Sequence, residues 1–185
     1  MIRYHNLISL ILLSYLTIMN VAAGVVLHKG VKYDSNGKII DCLFCRIANR
    51  DPNEKANVVY ENDEFTVFKT IAPASIHGHL LVTPKAHIKN VASLISTEDI
   101  TLIENMVATG KAAYQTLGIT DIQYSFHIPP WNSIDHIHLH CIAKPKEMSF
   151  FSSLKYFQGS FWCKSADDII SSLKSSNNIY PNSKL

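Results

Sequence analysis

The sequence predicts an α+β fold built on an antiparallel sheet. Three observations predict it: short β-rich runs follow one another, one long helical segment interrupts them, and turn-forming residues separate neighbouring runs. The chain has 185 residues, 47% hydrophobic and 17% charged, which is enough for one compact domain with its own core.

Each element has its own signal. "CLFCRIANR" (42–50) is a short helical candidate. "NVVYEN" (57–62) and "EFTVFKT" (64–70) are β-rich and meet at Asn62-Asp63, a hairpin turn. "HLLVTP" (79–84) is a strand ended by Pro84. The clearest helix spans 96–118. Ser96 and Asp99 have capping-box spacing, Ile100, Ile103, Val107 and Tyr114 follow the helical period, and Gly118 closes the segment. Two further strands, "IQYSFHI" (122–128) and "HIHLHCIA" (136–143), flank the loop "PPWNSID" (129–135). A last helix, "SADDIISSLK", begins at Ser165. Together these give five strands and two main helices over 41–175. Residues 24–40 read as a polar connector and 176–185 as a disordered tail.

The first 23 residues differ from the rest. Arg3 precedes an apolar run from Leu7 to Met19, and Val21 and Ala23 supply the small residues a signal peptidase accepts. Thirteen apolar-dominated residues suit a secretory segment and fall short of the ~20 that a spanning helix needs. An uncleaved anchor and a start at Met19 are the competing readings. A cleaved segment implies the secretory pathway or the cell exterior, an anchor implies membrane contact through this segment alone, and the alternative location is the cytoplasm or nucleus.

Charge narrows the partners. The formal net charge is +2, with lysines and arginines scattered, so nothing suggests a broad nucleic-acid surface. The four cysteines, Cys42, Cys45, Cys141 and Cys163, are too few for a disulfide scaffold. The close pair Cys42 and Cys45 reads as a metal or thiol site.

The stretch "DHIHLHCIA" (135–143) carries the chemistry. On a strand, His136, His138 and His140 point to one face while Ile137, Leu139 and Cys141 enter the core. Three imidazoles spaced roughly 6.5 Å apart form a ridge whose ring nitrogens all need partners when buried. A strand without chemistry would use threonine or valine there. Imidazole suits metal ligation, or nucleophilic attack on phosphorus, because its neutral form is abundant near pH 7 and attacks without first losing a proton.

The pattern His-x-His-x-His followed by Cys141-Ile142 resembles the signature of the histidine triad superfamily. "CLFCRIA", "ENDEFTVFKTIAP", "GHLLVTPKAHI", "ENMVATGK" and "FHIPPWNSIDHIHLH" occur in that superfamily's order, over roughly Asp41 to Lys174. "FFSSLKYFQGSFW" and "SADDII" most resemble its nucleotide-binding protein 3 group, the adenosine 5'-monophosphoramidases of the aprataxin-like branch. The resemblance implies a five-stranded antiparallel sheet with two main helices, and a homodimer. It implies a nucleotidyl-histidine reaction on AMP conjugates, with no metal needed for the chemistry.

The same resemblance assigns roles. His138 is the nucleophile, His136 and His140 position it, and His79 is the fourth histidine, with His77 as the second choice. Ser133 matches a serine that contacts phosphate. Thr70 stands where the family has an acidic residue or asparagine on the ribose hydroxyls, so the resemblance does not carry ribose affinity or nucleotide preference over to this chain. His127 lines the pocket or is a satisfied histidine, and Trp131 and Trp162 pack. Cys42 and Cys45 have the spacing of a zinc pair, which relatives complete with the equivalents of His87 and His136. Packed core thiols and a local disulfide compete with that zinc. A deadenylase of nucleic acid and a non-catalytic nucleotide- or zinc-binding protein are the alternative functions.

Overall fold

The computed structural model describes residues 24–179. The apolar segment 1–23 and residues 180–185 lie outside them. Among the described residues no helix is long and apolar enough to cross a membrane. A small antiparallel sheet comes first, from β1 (Val26–His28), β2 (Val31–Tyr33) and β3 (Ile39–Cys42) in that order. Helix α1 (Leu43–Ala48) follows directly. Then come β4 (Val58–Glu61), β5 (Phe65–Lys69), β6 (His79–Pro84), α2 (Thr97–Gln115), β7 (Ile122–His127), β8 (Leu139–Ala143), α3 (Phe150–Lys155), β9 (Cys163–Ser165) and α4 (Ala166–Ile179).

The main sheet is antiparallel throughout, in the order β4-β5-β6-β8-β7-β9. Its first five strands in sequence are those the sequence predicts. The sixth, β9, corrects the count. It has three residues, too few to show alternation, and pairs at the edge with Cys163 opposite His127. The connector expected at 24–40 is likewise folded, into the β1–β2 hairpin and β3. Its turn, Lys29-Gly30, takes positive φ at both residues, as a two-residue hairpin requires. The tail expected to be disordered from 176 is helical to Ile179. α1 and α3 are six residues each, so α2 and α4 remain the two main helices.

The core explains why β6 and β8 are central. All six residues of β6 are buried, and all five of β8. Leu80 and Val82 join Leu139 and Cys141 beneath α2, whose Ile103, Met106, Ala113 and Tyr114 cover that face. A Cβ at Gly110 would lie 2.5 Å from Cys141 Sγ, so glycine there is what lets α2 sit this close to β8. α2 begins at a capping box of Ser96 and Asp99, a device that contributes about 1 kcal/mol.

The opposite face carries the histidines. Leu81 and Phe68 meet Phe44 and Ile47 of α1 there, while Ile142 meets Ala74 and Tyr156 further along. The ladder of β8 starts only at Leu139, so His136 and His138 precede it. Alternation persists regardless, because Ile137 donates its N–H to Ile88 O at 2.7 Å and accepts from Thr83 Oγ1 at 2.9 Å.

Candidate active site

The three histidines lie on one face, buried to 0%, 6% and 6% exposure for His136, His138 and His140. Their hydrogen bonds fix which ring nitrogens carry protons.

At the far end, the Ala74 N–H donates to His79 Nδ1 at 3.1 Å, so that nitrogen is bare. His79 Nε2 therefore carries the proton and donates to His140 Nδ1 at 2.9 Å. By the same logic His140 Nε2–H donates to His127 Nδ1 at 3.1 Å, and His127 Nε2–H points to Lys155 O at 3.4 Å. A backbone donor at one end and a backbone acceptor at the other set three tautomers in a row. Burial holds all three rings neutral. It pulls His79 down to about 3 and His127 to about 4, and puts His140 well below the ordinary histidine range. Tyr156 packs its ring about 5 Å from all three imidazoles, and burial pushes its phenol up to about 12.

His138 is held differently. Its Nδ1–H donates to His136 O at 2.7 Å, which leaves the Nε2 lone pair uncommitted. Burial lowers its proton affinity, so the ring is neutral at pH 7. Phe44 sets an edge-on ring 5.1 Å away and holds the imidazole plane. An imidazole with a bare Nε2 and an anchored Nδ1–H is built for nucleophilic attack, since the carbonyl stabilises the positive charge that attack creates.

His136 faces a third environment. Its Nε2–H donates to Pro84 O at 2.9 Å, so Nδ1 is bare and lies 3.4 Å from both Cys42 Sγ and Cys45 Sγ. His87 Nδ1 is 3.3 Å from Cys45 Sγ, and the four ligand atoms lie within 4.8 Å of one another. Tetrahedral zinc with bonds near 2.3 Å to sulfur and 2.0 Å to nitrogen gives sulfur–nitrogen edges of about 3.5 Å. The donor set and spacing therefore fit zinc. Without a cation, burial and the neighbouring Cys42 push the Cys45 thiol up to about 12, so it stays protonated and becomes a thiolate ligand only when a cation joins it. All four cysteines are free, and no disulfide forms at Cys42 and Cys45.

The remaining expectations separate. Thr70 sits beside the relay, its N–H donating to His79 O at 3.2 Å, with its hydroxyl accepting from Ala72 N. Ser133 is exposed in the loop before the triad, and among the described residues no hydrogen bond ties it to the histidines. His77 pairs with Glu147 at the surface, apart from the triad. Trp131 is half-exposed against Phe161, and Trp162 donates its indole N–H to Leu154 O and Lys155 O. Sequence reasoning did not find Phe44 or Tyr156. The first had a signal, an aromatic between two paired cysteines; the second had none.

An antiparallel sheet whose central strand is led in by three alternating histidines, the middle one with a free Nε2, defines a protein of the histidine triad class. Residues 41–156 match the family described as "Scavenger mRNA decapping enzyme C-term binding". The chain is 35% identical over 161 residues to adenosine 5'-monophosphoramidase HINT3 of Xenopus tropicalis, covering 85% of this chain and 100% of that one. It is 39% identical over 145 residues to the Mus musculus protein of the same name, covering 77% and 84%. The chain belongs to this family, within the histidine triad superfamily. The solved structure of aprataxin ortholog Hnt3 from Schizosaccharomyces pombe aligns with a TM-score of 0.51 at 21% identity, covering 72% of this chain and 73% of that one, and supports the fold.

Proposed function

We propose that this chain is a hydrolase of adenosine 5'-monophosphoramidates. His138 Nε2 attacks the α-phosphorus, the Nε2–P bond forms, and the P–N bond to the amine breaks as the amine takes up a proton from solvent. Water then adds to phosphorus and returns a proton to solvent, the Nε2–P bond breaks, and AMP leaves. The observation that carries this reading is the His138 Nδ1–H bond to His136 O at 2.7 Å, which leaves Nε2 as the one bare, unpartnered ring nitrogen of the triad. The names of the two amphibian and mouse relatives support the substrate class.

The chain's own residues divide the work. His136 O orients the nucleophile, and burial keeps the imidazoles of the relay His79–His140–His127 neutral beside the reacting centre. If zinc occupies Cys42, Cys45, His87 and His136, it supplies charge to the thiolates and rigidity to the segment before His138. Thr70 offers a single hydroxyl beside His79, so discrimination at the ribose is weaker than a carboxylate would give.

Intact mass spectrometry of the protein, quenched soon after mixing with an adenosine phosphoramidate, tests the reading. An added AMP mass that maps to His138 and decays with time is expected. No adduct and no AMP release would end it, in favour of a binding protein or another nucleotide.

A further inference from the structure

The β1–β2 hairpin lies N-terminal to the stretch 41–156 that matches the scavenger decapping family, and its tip reaches the loop leading into the triad. Lys29 Nζ donates to Pro130 O at 2.6 Å and to Asn132 Oδ1 at 2.7 Å. The Lys29 carbonyl accepts from the Asp135 N–H at 2.9 Å. His28 Nδ1 lies 2.8 Å from Asp135 Oδ2, while Asn132 Nδ2 donates to Asp135 Oδ1 at 2.8 Å and to Ile134 O at 3.1 Å. Asp135 and Asn132 are 1% and 5% exposed, so the network is buried on the loop side, while the hairpin side chains reach it from the surface. Gly30 completes the fit: a Cβ there would lie 2.6 Å from Ile134 Cδ1. Downstream of this held loop is His136, whose carbonyl orients the nucleophile. The same hairpin governs the other approach to His136, because Val31 of β2 pairs with Cys42.

We propose that Lys29 and His28 are positioning residues for the triad, and that the hairpin tip is a clasp setting the backbone at His136 and so the aim of His138 Nε2. Neither side chain reaches the reacting atoms. Lys29 acts through Pro130 and Asn132, and His28 through Asp135. The buried Asp135 carboxylate draws donors to this loop, with His28 Nδ1 at 2.8 Å and Lys89 Nζ at 4.0 Å. The chemistry of the claim rests on the proposed function; its geometry does not.

The test pairs kinetics with amide exchange on the full chain. Lys29→Met keeps the apolar stem and removes the donors to Pro130 and Asn132. A misplacement on the ångström scale costs up to roughly 100-fold in rate, so kcat is expected to fall about 10- to 100-fold with KM within about threefold. Exchange at Trp131 and Asp135 should quicken, and Lys29→Arg, which restores donors, should recover most of the rate. His28→Ala, at a half-exposed side chain, is the milder second cut. It should move both readouts the same way by less, even if Lys29→Met fails to fold. Unchanged loop exchange would overturn the clasp. Faster exchange with unchanged kcat would overturn its link to the nucleophile. If the wild type releases no AMP, the proposed reaction fails on its own account; faster loop exchange in the variants would then still support the clasp, and unchanged exchange would overturn it.

Discussion

The two ends of the triad are four residues apart and face opposite demands. At His136 the ring is surrounded by Cys42, Cys45 and His87, with its one proton committed to Pro84 O. At His140 the ring sits in a row of imidazoles whose protons all run one way, from His79 to Lys155 O. The first end is a donor cluster that suits a cation, and at the second burial keeps the rings themselves uncharged. Between them His138 borrows orientation from the first end, through the His136 carbonyl, and a neutral environment from the second. One strand face thus holds three identical side chains in three different surroundings and two tautomers, Nε2–H at His136 and His140 and Nδ1–H at His138, because each ring's partner fixes its proton.

Replacing the middle ring should have the largest effect. His138→Ala removes the bare Nε2 and is expected to lower kcat by at least about 1,000-fold, as loss of a covalent nucleophile does. Circular dichroism should find the fold intact, since the ring's edge-on contact with Phe44 is all it adds to the α1 core, and the apolar cluster beneath α2 is untouched. Near-normal rates would break the comparison at its centre. Next comes the relay end. His79→Gln interrupts the row at its first ring and is expected to reduce kcat by roughly 10- to 100-fold, the range for groups that manage protons. An unchanged rate would make the row a packing device only.

The donor end should answer in stability before turnover. Zinc loading is expected to raise the melting temperature, and chelation or Cys45→Ala to lower it by about 5 °C or more, since 1 kcal/mol corresponds to roughly 2–4 °C at this size. Well below the transition, kcat should fall less than in His79→Gln. A melting temperature indifferent to both zinc and chelator would mean that the thiols pack as small apolar side chains.

Much of this division was open to a reader of the sequence alone. Alternation put His136, His138 and His140 on one face, and the structure keeps them there even though β8 begins only at Leu139. The cysteine spacing suggested a metal or thiol pair, and the family resemblance, not that spacing, pointed to His136 as a shared residue. Elements with strong periodicity or caps, such as α2 and β4 to β8, were legible for the same reason. β1, β2 and β9 were not, because three residues cannot display a period. Nor were the contacts that arise only on folding. Tyr156 reaches His79 from the far side of the chain, and Lys29 reaches Pro130 across 101 positions. Only the assembled sheet brings those pairs together. Nor could the sequence choose between His77 and His79 on geometry. Gly78 lies between them, and only His79 enters β6 facing the relay.

Acid provides the finest probe of the difference between the ends. His79 and His127 are bare bases whose folded values, about 3 and about 4, lie below the ordinary 6.5, chiefly through burial, with Lys155 adding repulsion to both. The unfolded chain therefore binds protons first as pH falls. The stability these rings contribute is complete above about pH 6.5 and drains away towards pH 4. The melting temperature of the wild type should drop by about 5 °C or more between pH 7 and pH 5, on the scale of roughly 2–4 °C per kcal/mol. His127→Gln keeps a polar group against His140 but removes one titrating ring, so its drop over the same interval should be visibly smaller. Equal drops in the two proteins would mean that the acid response originates outside the relay.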